Sequence, residues 1–377
     1  MFDLQLLGKK LSGYRLRLEY TVEEVVIGTG INKERLICFE KGTLEPTGDE
    51  ILILADFFKE DYKFFISNQQ SSASENSDKL YRQFGNEFSK EDRRSIQEFL
   101  YLCECESDIW ELLNKTKKPY KLPIRKYHYL TETEEVANEV RKFIGYKDND
   151  LLENIFDDFR KLGLHIFRRE LSNSNLSGIF IQHPVAGKCI LVNYSEDLYR
   201  QNFTLAHEVA HSIFDTNVDY NVSFTKDDND IKEVRANRFA AAFLMPASII
   251  IKLNIKFWNN DILVKLAKQF KVNIVSLLIR LKSLKCIQES EAKKFAHLKL
   301  SRNLKEDPEL KGLPQKIAIA KLEVLKRGLS SIYVRECHEA YVNSFISQSR
   351  LAEMLLIPEE DLADLLGLFN LKLIYEF

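Results

Sequence analysis

Long apolar runs, paired cysteines and net charge are all scarce in this 377-residue sequence. No stretch of 18 uncharged apolar residues occurs, so no membrane-spanning helix is expected. The opening MFDLQLLGKK has no basic start followed by an apolar run and a small-residue cleavage site, so no secretory leader is expected. The six cysteines (Cys38, Cys103, Cys105, Cys189, Cys286, Cys337) are scattered, and only Cys103 and Cys105 are close together. A two-residue spacing without a second pair is a poor metal clip, so these are expected to be buried or partly exposed thiols. The reading is a cytoplasmic protein with reduced thiols. A formal net charge of −2 leaves no global electrostatic reason to bind nucleic acid or membrane, so any such binding needs a local patch.

What is present is apolar material for large cores: 45% hydrophobic residues, including 25 phenylalanines. The length implies two or three domains. Residues 1–67 carry helical spacing in several short pieces, and SNQQSSASENSD (67–78), nearly devoid of apolar residues, reads as a linker. One or two connecting helices follow, up to about Lys118. The run KTKKPYKLPIRKY (115–127) then breaks the pattern with two prolines and reads as a solvated linker with some capacity for phosphate contacts. Helices are expected at 131–145 and 150–162. LHIFRREL, LSGIFIQH and KCILVNY alternate with turns, as strands do. Two more helices are expected at about 199–215 and 230–244, and the remainder is mostly helical.

The chemistry concentrates in FTLAHEVAHSIFD. His207 and His211, four apart on a helix, project from the same face about one turn from each other, so they can share a metal ion. Glu208 is rotated off that face, which suits a carboxylate serving the reacting water rather than the metal. Phe203, Ala206, Ala210, Ile213 and Phe214 give the helix an apolar side for a core. KEVRANRFAAAFLMP follows, and its Glu233 is the carboxylate that completes a three-ligand site with a fourth position open. Small residues Ala236, Ala240 and Ala241 allow the two helices to approach closely. The competing reading makes the histidines hydrogen-bonded core residues and Glu233 a solvated helix charge.

With both helices considered, FTLAHEVAHSIFD and EVRANRFAAAFLMP resemble the ImmA/IrrE metallopeptidase family, and LSGIFIQHPVAGKCILVNYS is similar to the strand pair that precedes the family's metal helix. The resemblance covers residues 125–285. It implies that His207, His211 and Glu233 hold Zn²⁺, that Glu208 is the general base, and that the substrate is an intracellular protein, a transcriptional repressor. Two imidazoles and one carboxylate favour zinc and are also compatible with manganese or iron. The sequence departs from the family at Arg235, where members often carry a second acidic residue. His183 is a candidate for lining the cleft, as are Tyr194 and Tyr199; His128, His165, His297 and His338 carry no spacing signal.

Residues 8–66 resemble the lambda-repressor-like (XRE) helix-turn-helix family through GKKLSGYRLRLEY, TVEEVVIGTG and INKERLICFEKG. That resemblance implies Asn32, Lys33 and Arg35 at base edges, and Lys9, Lys10, Arg15 or Lys41 on phosphates. Residues 1–67 nevertheless hold nine basic against twelve acidic side chains, whereas a DNA-binding module usually shows a basic face. Docking of a protein or dimerisation on the same scaffold is the alternative.

The expected class is therefore α+β. A zincin-like metallopeptidase domain (125–290), with a small sheet and the HExxH helix, follows an all-α helix-turn-helix domain (1–67) and connecting helices (68–124). A helical C-terminal region (291–377) comes last. The expected activity is zinc-dependent endopeptidase, regulated through the attached module. A DNA-binding regulator with a structural or inactive metal site is the alternative, and a homodimer is compatible with either.

Overall fold

The computed structural model describes residues 3–68, 80, 88–118, 120, 132–147, 149–173, 175–215, 220–224, 230–301 and 304–374. Most of the expected linker at 67–78 and most of the basic run at 115–127 lie outside the described residues, as does His128.

Five short helices open the chain: α1 (Leu4–Arg17), α2 (Val22–Thr29), α3 (Lys33–Glu40), α4 (Gly48–Phe58) and α5 (Tyr62–Ile66). Their starts are written locally. Asp3, Thr21, Asn32, Thr47 and Asp61 each accept a hydrogen bond from a first-turn backbone N–H, and Thr21 and Thr47 form reciprocal boxes with Glu24 and Glu50. The helices enclose their own core around Leu11, Tyr14, Leu36, Phe39, Leu54 and Phe58. Gly8 lets α1 cross the end of α3, since a Cβ there would sit 2.6 Å from the Glu40 carbonyl oxygen.

Where the sequence allows one or two connecting helices, the described residues hold a helix of 23 residues, α6 (Lys90–Leu112), and Leu80 before it is also helical. Next come α7 (Thr133–Phe143), α8 (Ile155–Arg160), β1 (His165–Arg169), β2 (Leu176–His183) and β3 (Gly187–Asn193). Helix α9 (Leu198–Phe214), strand β4 (Tyr220–Phe224) and helix α10 (Ile231–Leu244) complete the central region. The sheet order is β1-β3-β2-β4, with β1 parallel to β3 and the other pairs antiparallel. Strand β4 carries no clear signal in the sequence and forms an edge.

The central strands β2 and β3 carry the apolar runs 179–181 and 189–192 because the sheet is buried on both faces. Ile166, Phe180, Ile190 and Val192 point into one core, shared with α7 to α10. Phe167, Ile179, Ile181, Cys189 and Leu191 point into the other, shared with α6. The remaining helices are α11 (Ala247–Lys252), α12 (Asn260–Phe270), α13 (Ile274–Ser283), α14 (Glu289–Phe295), α15 (Gln315–Lys326), α16 (Ser331–Val342), α17 (Gln348–Met354) and α18 (Leu362–Leu368).

The cores do not follow boundaries at 124 and 290. Leu329, Tyr333, Cys337, Leu351 and Leu366 from the C-terminal helices join the core that holds α6 and one face of the sheet. Phe167 of β1 lies between Phe99 of α6 and Tyr333 of α16, with ring centroids 6.2 and 5.3 Å away. The C-terminal region is thus a structural layer of the sheet domain. The cysteines are all free thiols, four of them buried. No helix among the described residues is long and apolar enough to cross a membrane.

Candidate metal centre

Helix α9 starts at Asp197, whose carboxylate accepts the backbone N–H groups of Tyr199 and Arg200. Its apolar side, with Leu205, Ala206, Val209, Ala210 and Ile213, is sunk in the core. That burial leaves His207 and His211 on the side facing α10. The close approach of α10 rests on the buried small residues Ala236 and Ala240, and it brings Glu233, in the first turn of α10, up to both imidazoles. Glu233 Oε2 is 3.0 Å from His207 Nε2, Glu233 Oε1 is 3.2 Å from His211 Nε2, and the two Nε2 atoms are 3.0 Å apart. Among the described residues this is the one group of three potential ligand side chains whose donor atoms converge in this way.

The outer partners decide what the inner atoms present. His207 Nδ1 lies 3.0 Å from Asn237 Oδ1, and His211 Nδ1 lies 2.9 Å from Asp215 Oδ2. A carboxylate can only accept, so His211 carries hydrogen on Nδ1; an amide oxygen imposes the same on His207. Both Nε2 lone pairs then point at one spot alongside a carboxylate. Lone pairs 3.0 Å apart repel unless a cation or proton sits between them. Without a cation, a shared proton would relieve that repulsion. Burial opposes charge on His211, but the Asp215 and Glu233 carboxylates outweigh it and raise its pKa to about 9. Burial likewise opposes charge on Glu233, and hydrogen bonds from His207 and His211 reverse that, holding the carboxylate far below its ordinary range. The donor set fits zinc: two nitrogens, one carboxylate and outer-sphere acceptors that orient both rings.

Asp215 is itself held from α10, where the Arg235 guanidinium donates to its Oδ1 at 2.6 Å. Asp215 and Asn237 escaped the sequence reading. Each stands four residues past a member of the cluster, His211 and Glu233 respectively, and that spacing is the signal that could have found them.

Glu208 is fully buried, and neither of its carboxylate oxygens has a hydrogen-bond partner among the described residues. Burial is the main cause of its raised pKa, and the neighbouring imidazoles only partly offset it. Ser223 of β4 is close enough to favour the charged form slightly but is not in hydrogen-bonding geometry. The space comes from Gly178 on β2: a Cβ there would lie 3.0 Å from Glu208 Oε1 and 2.7 Å from the Thr204 methyl. A buried, unpartnered carboxylate beside a ligand cluster has a proton affinity suited to exchanging protons with a substrate.

Residues 159–282 match the family model described as Peptidase_M78: IrrE N-terminal-like domain. The match spans about a third of the chain and contains β1 to β4, α9, α10 and every residue of the cluster. The similarity of this segment supports a peptidase and suggests a metallopeptidase-like function. No curated protein matches the chain.

Other candidates fall elsewhere. His183 does not line the cleft. Its Nδ1 accepts the backbone N–H groups of Val185 and Ala186, and its Nε2 lies 3.2 Å from Glu104 of α6, so it closes a hairpin and ties it to a helix. Tyr194 donates to Asp307 at 2.9 Å and Tyr199 lies under Lys305, both apart from the ligand cluster. At the amino-terminal end, Asn32 caps α3, Lys33 pairs with Glu23 at 2.5 Å, and Arg35 is bidentate on Glu50 at 2.8 Å. Lys41 is exposed at the end of α3. Lys10 is unavailable to phosphate because its buried ammonium donates to the carbonyls of Phe64 and Ser67. Arg15 is committed to Glu40 through two hydrogen bonds.

Proposed function

We propose that this chain is a zinc-dependent endopeptidase acting on a protein substrate. The observation that carries the reading is the convergence of His207 Nε2, His211 Nε2 and a Glu233 carboxylate oxygen beside the buried, unpartnered Glu208. Zinc held by these three side chains would supply Lewis acidity and an activated water. Glu208 takes a proton on a carboxylate oxygen from the attacking water and returns it to the leaving amine. Asp215 and Asn237 keep the two imidazoles in the ligating tautomer and hold them in place. A cleft of about 990 Å³, lined by His207, Glu233 and Asn237, gives room for an extended peptide in front of the cluster.

By the resemblance of the metal-bearing segment, the substrate is a transcriptional repressor. The amino-terminal helices then serve to place the enzyme on DNA or on a protein partner and regulate its access to that substrate. The test is a Glu208→Gln variant. It should retain zinc by elemental analysis while cleavage, followed by mass spectrometry of lysate proteins, falls by about 100-fold or more. Undiminished cleavage by that variant removes the assignment.

A further inference from the structure

The charged side chains lining the cleft sort into two groups. Arg200 is tied to Glu196 at 2.7 Å, Arg280 to Glu134 at 2.5 Å, and Lys305 to Asp197 at 2.8 Å. Arg238 and Lys299 also line the cleft, are exposed, and have no carboxylate partner among the described residues. Arg238 stands one residue past Asn237, the partner of His207, and lines the same cleft as Glu233. After these pairings Arg238 and Lys299 remain as the unneutralised cations of the lining, and Glu233 is committed to the histidines. A bound divalent ion would add to that positive field.

The same cleft exposes apolar surface. Val275 and Ile279, four apart on α13, are 54% and 56% exposed although both line it. Leu298 and Leu300 add to the lining from the segment after α14. That segment lies beyond the IrrE-like match at 159–282, so this chain supplies part of the cleft wall from its own continuation. The segment is pinned at its far end: Lys305 also donates to Asn273 at 2.6 Å, and Asp307 accepts from Arg168 at 2.7 Å.

Large apolar side chains left exposed beside unneutralised cations call for a partner carrying both complements. We propose that this cleft selects an extended protein segment in which acidic side chains alternate with apolar ones, the acids meeting Arg238 and Lys299 and the apolar residues covering Val275 and Ile279. This inference rests on the peptidase reading for its site and adds the class of substrate.

Full-length, zinc-loaded Glu208→Gln protein would be titrated with fluorescein-labelled peptides of equal length that alternate Leu/Glu, Leu/Lys or Ser/Glu. The Leu/Glu peptide should bind about ten-fold more tightly than either of the others, with its advantage over Leu/Lys shrinking at high salt. Adding Arg238→Glu and Lys299→Glu should abolish the charge preference. Adding Val275→Ser and Ile279→Ser instead should weaken Leu/Glu binding while acid is still preferred over base. An unchanged melting temperature in each exposed-site variant checks the fold. Equal binding of Leu/Glu and Leu/Lys, absence of binding, Ser/Glu binding as tight as Leu/Glu, or a charge reversal without effect would each overturn the proposal. Zinc-loaded wild type supplies the separate arm. Selective binding without any cleavage would remove the peptidase reading and leave the selectivity standing; cleavage of Leu/Glu and Leu/Lys at equal rates would do the reverse.

Discussion

Two helix pairs attract attention in the sequence, α9 with α10 and α2 with α3, and they treat their polar side chains in opposite ways. At α9 and α10 three donors crowd onto one point, and Glu208 is left buried without a hydrogen-bond partner among the described residues. At α2 and α3 the cations are dispersed and each meets a carboxylate of its own module: Lys33 with Glu23, Arg35 with Glu50. Helical spacing places residues on a face in both cases. What differs is the neighbouring surface, a second ligand-bearing helix in one case and acidic side chains in the other.

The largest expected effect breaks the convergence outright. His207→Ala or His211→Ala should lower zinc affinity by about a thousand-fold or more, read by chelator competition and elemental analysis, because a two-donor remnant holds the ion poorly. Asn32→Ala in α3 removes a helix cap and should leave zinc affinity untouched, since Asn32 belongs to a separate core. A smaller effect is expected for Asp215→Ala, about 10–100-fold in affinity, through loss of the acceptor that orients His211. If that variant binds zinc like wild type, the outer carboxylate has no part in holding the ligand.

The convergence of His207, His211 and Glu233 was legible because its information is local. Four-residue spacing gives His207 and His211, and a nearby helix of small residues gives Glu233. The outer partners Asp215 and Asn237 follow the same spacing, but isolated Asp and Asn residues are too common to stand out. The sheet was legible in three strands. Strand β4 escaped because its signal is short and its role depends on pairing with β2. The C-terminal layer was legible as helices and not as part of the sheet's core. Contacts such as Phe167 with Tyr333 join residues far apart in sequence, and amphipathic periodicity says only that a face is buried, never against what. The amino-terminal cations were visible by type, and their pairing by Glu23 and Glu50 was visible only in three dimensions.

An intermediate effect concerns pH. In metal-free protein His211 is raised from an ordinary 6.5 to about 9. Its contribution to folding is therefore complete below about 6.5 and is lost as pH rises through 9. Glu208, raised by burial, works in the same direction, because it must ionise in a dry site as pH rises. The depressed Glu233 acts oppositely: its contribution is present above its ordinary range and is lost only at strongly acid pH. Chelator-treated protein should thus melt at a lower temperature at pH 9.5 than at pH 6.5, while zinc affinity rises across that interval as the proton leaves. A flat melting temperature in metal-free protein would contradict the proton-filled cluster.

The smallest effect sharpens the other side of the comparison. Replacing Glu23 and Glu50 by Gln would release Lys33 and Arg35 and raise the formal charge of residues 1–67 by two. Glutamine can keep the Thr47 box that starts α4, so the fold of the module should survive. If neutralisation by these carboxylates limits binding to DNA, the double variant should bind a random duplex more tightly than wild type at low salt. The gain would be no more than about ten-fold, and the affinity would fall more steeply with added salt. Anisotropy of a labelled duplex reads both quantities. An unchanged affinity would mean that α3 does not face the phosphates even when its cations are free, which favours a protein surface as the module's partner. Tight, steeply salt-dependent binding by the wild type would mean instead that the ion pairs at Glu23 and Glu50 open on contact with DNA.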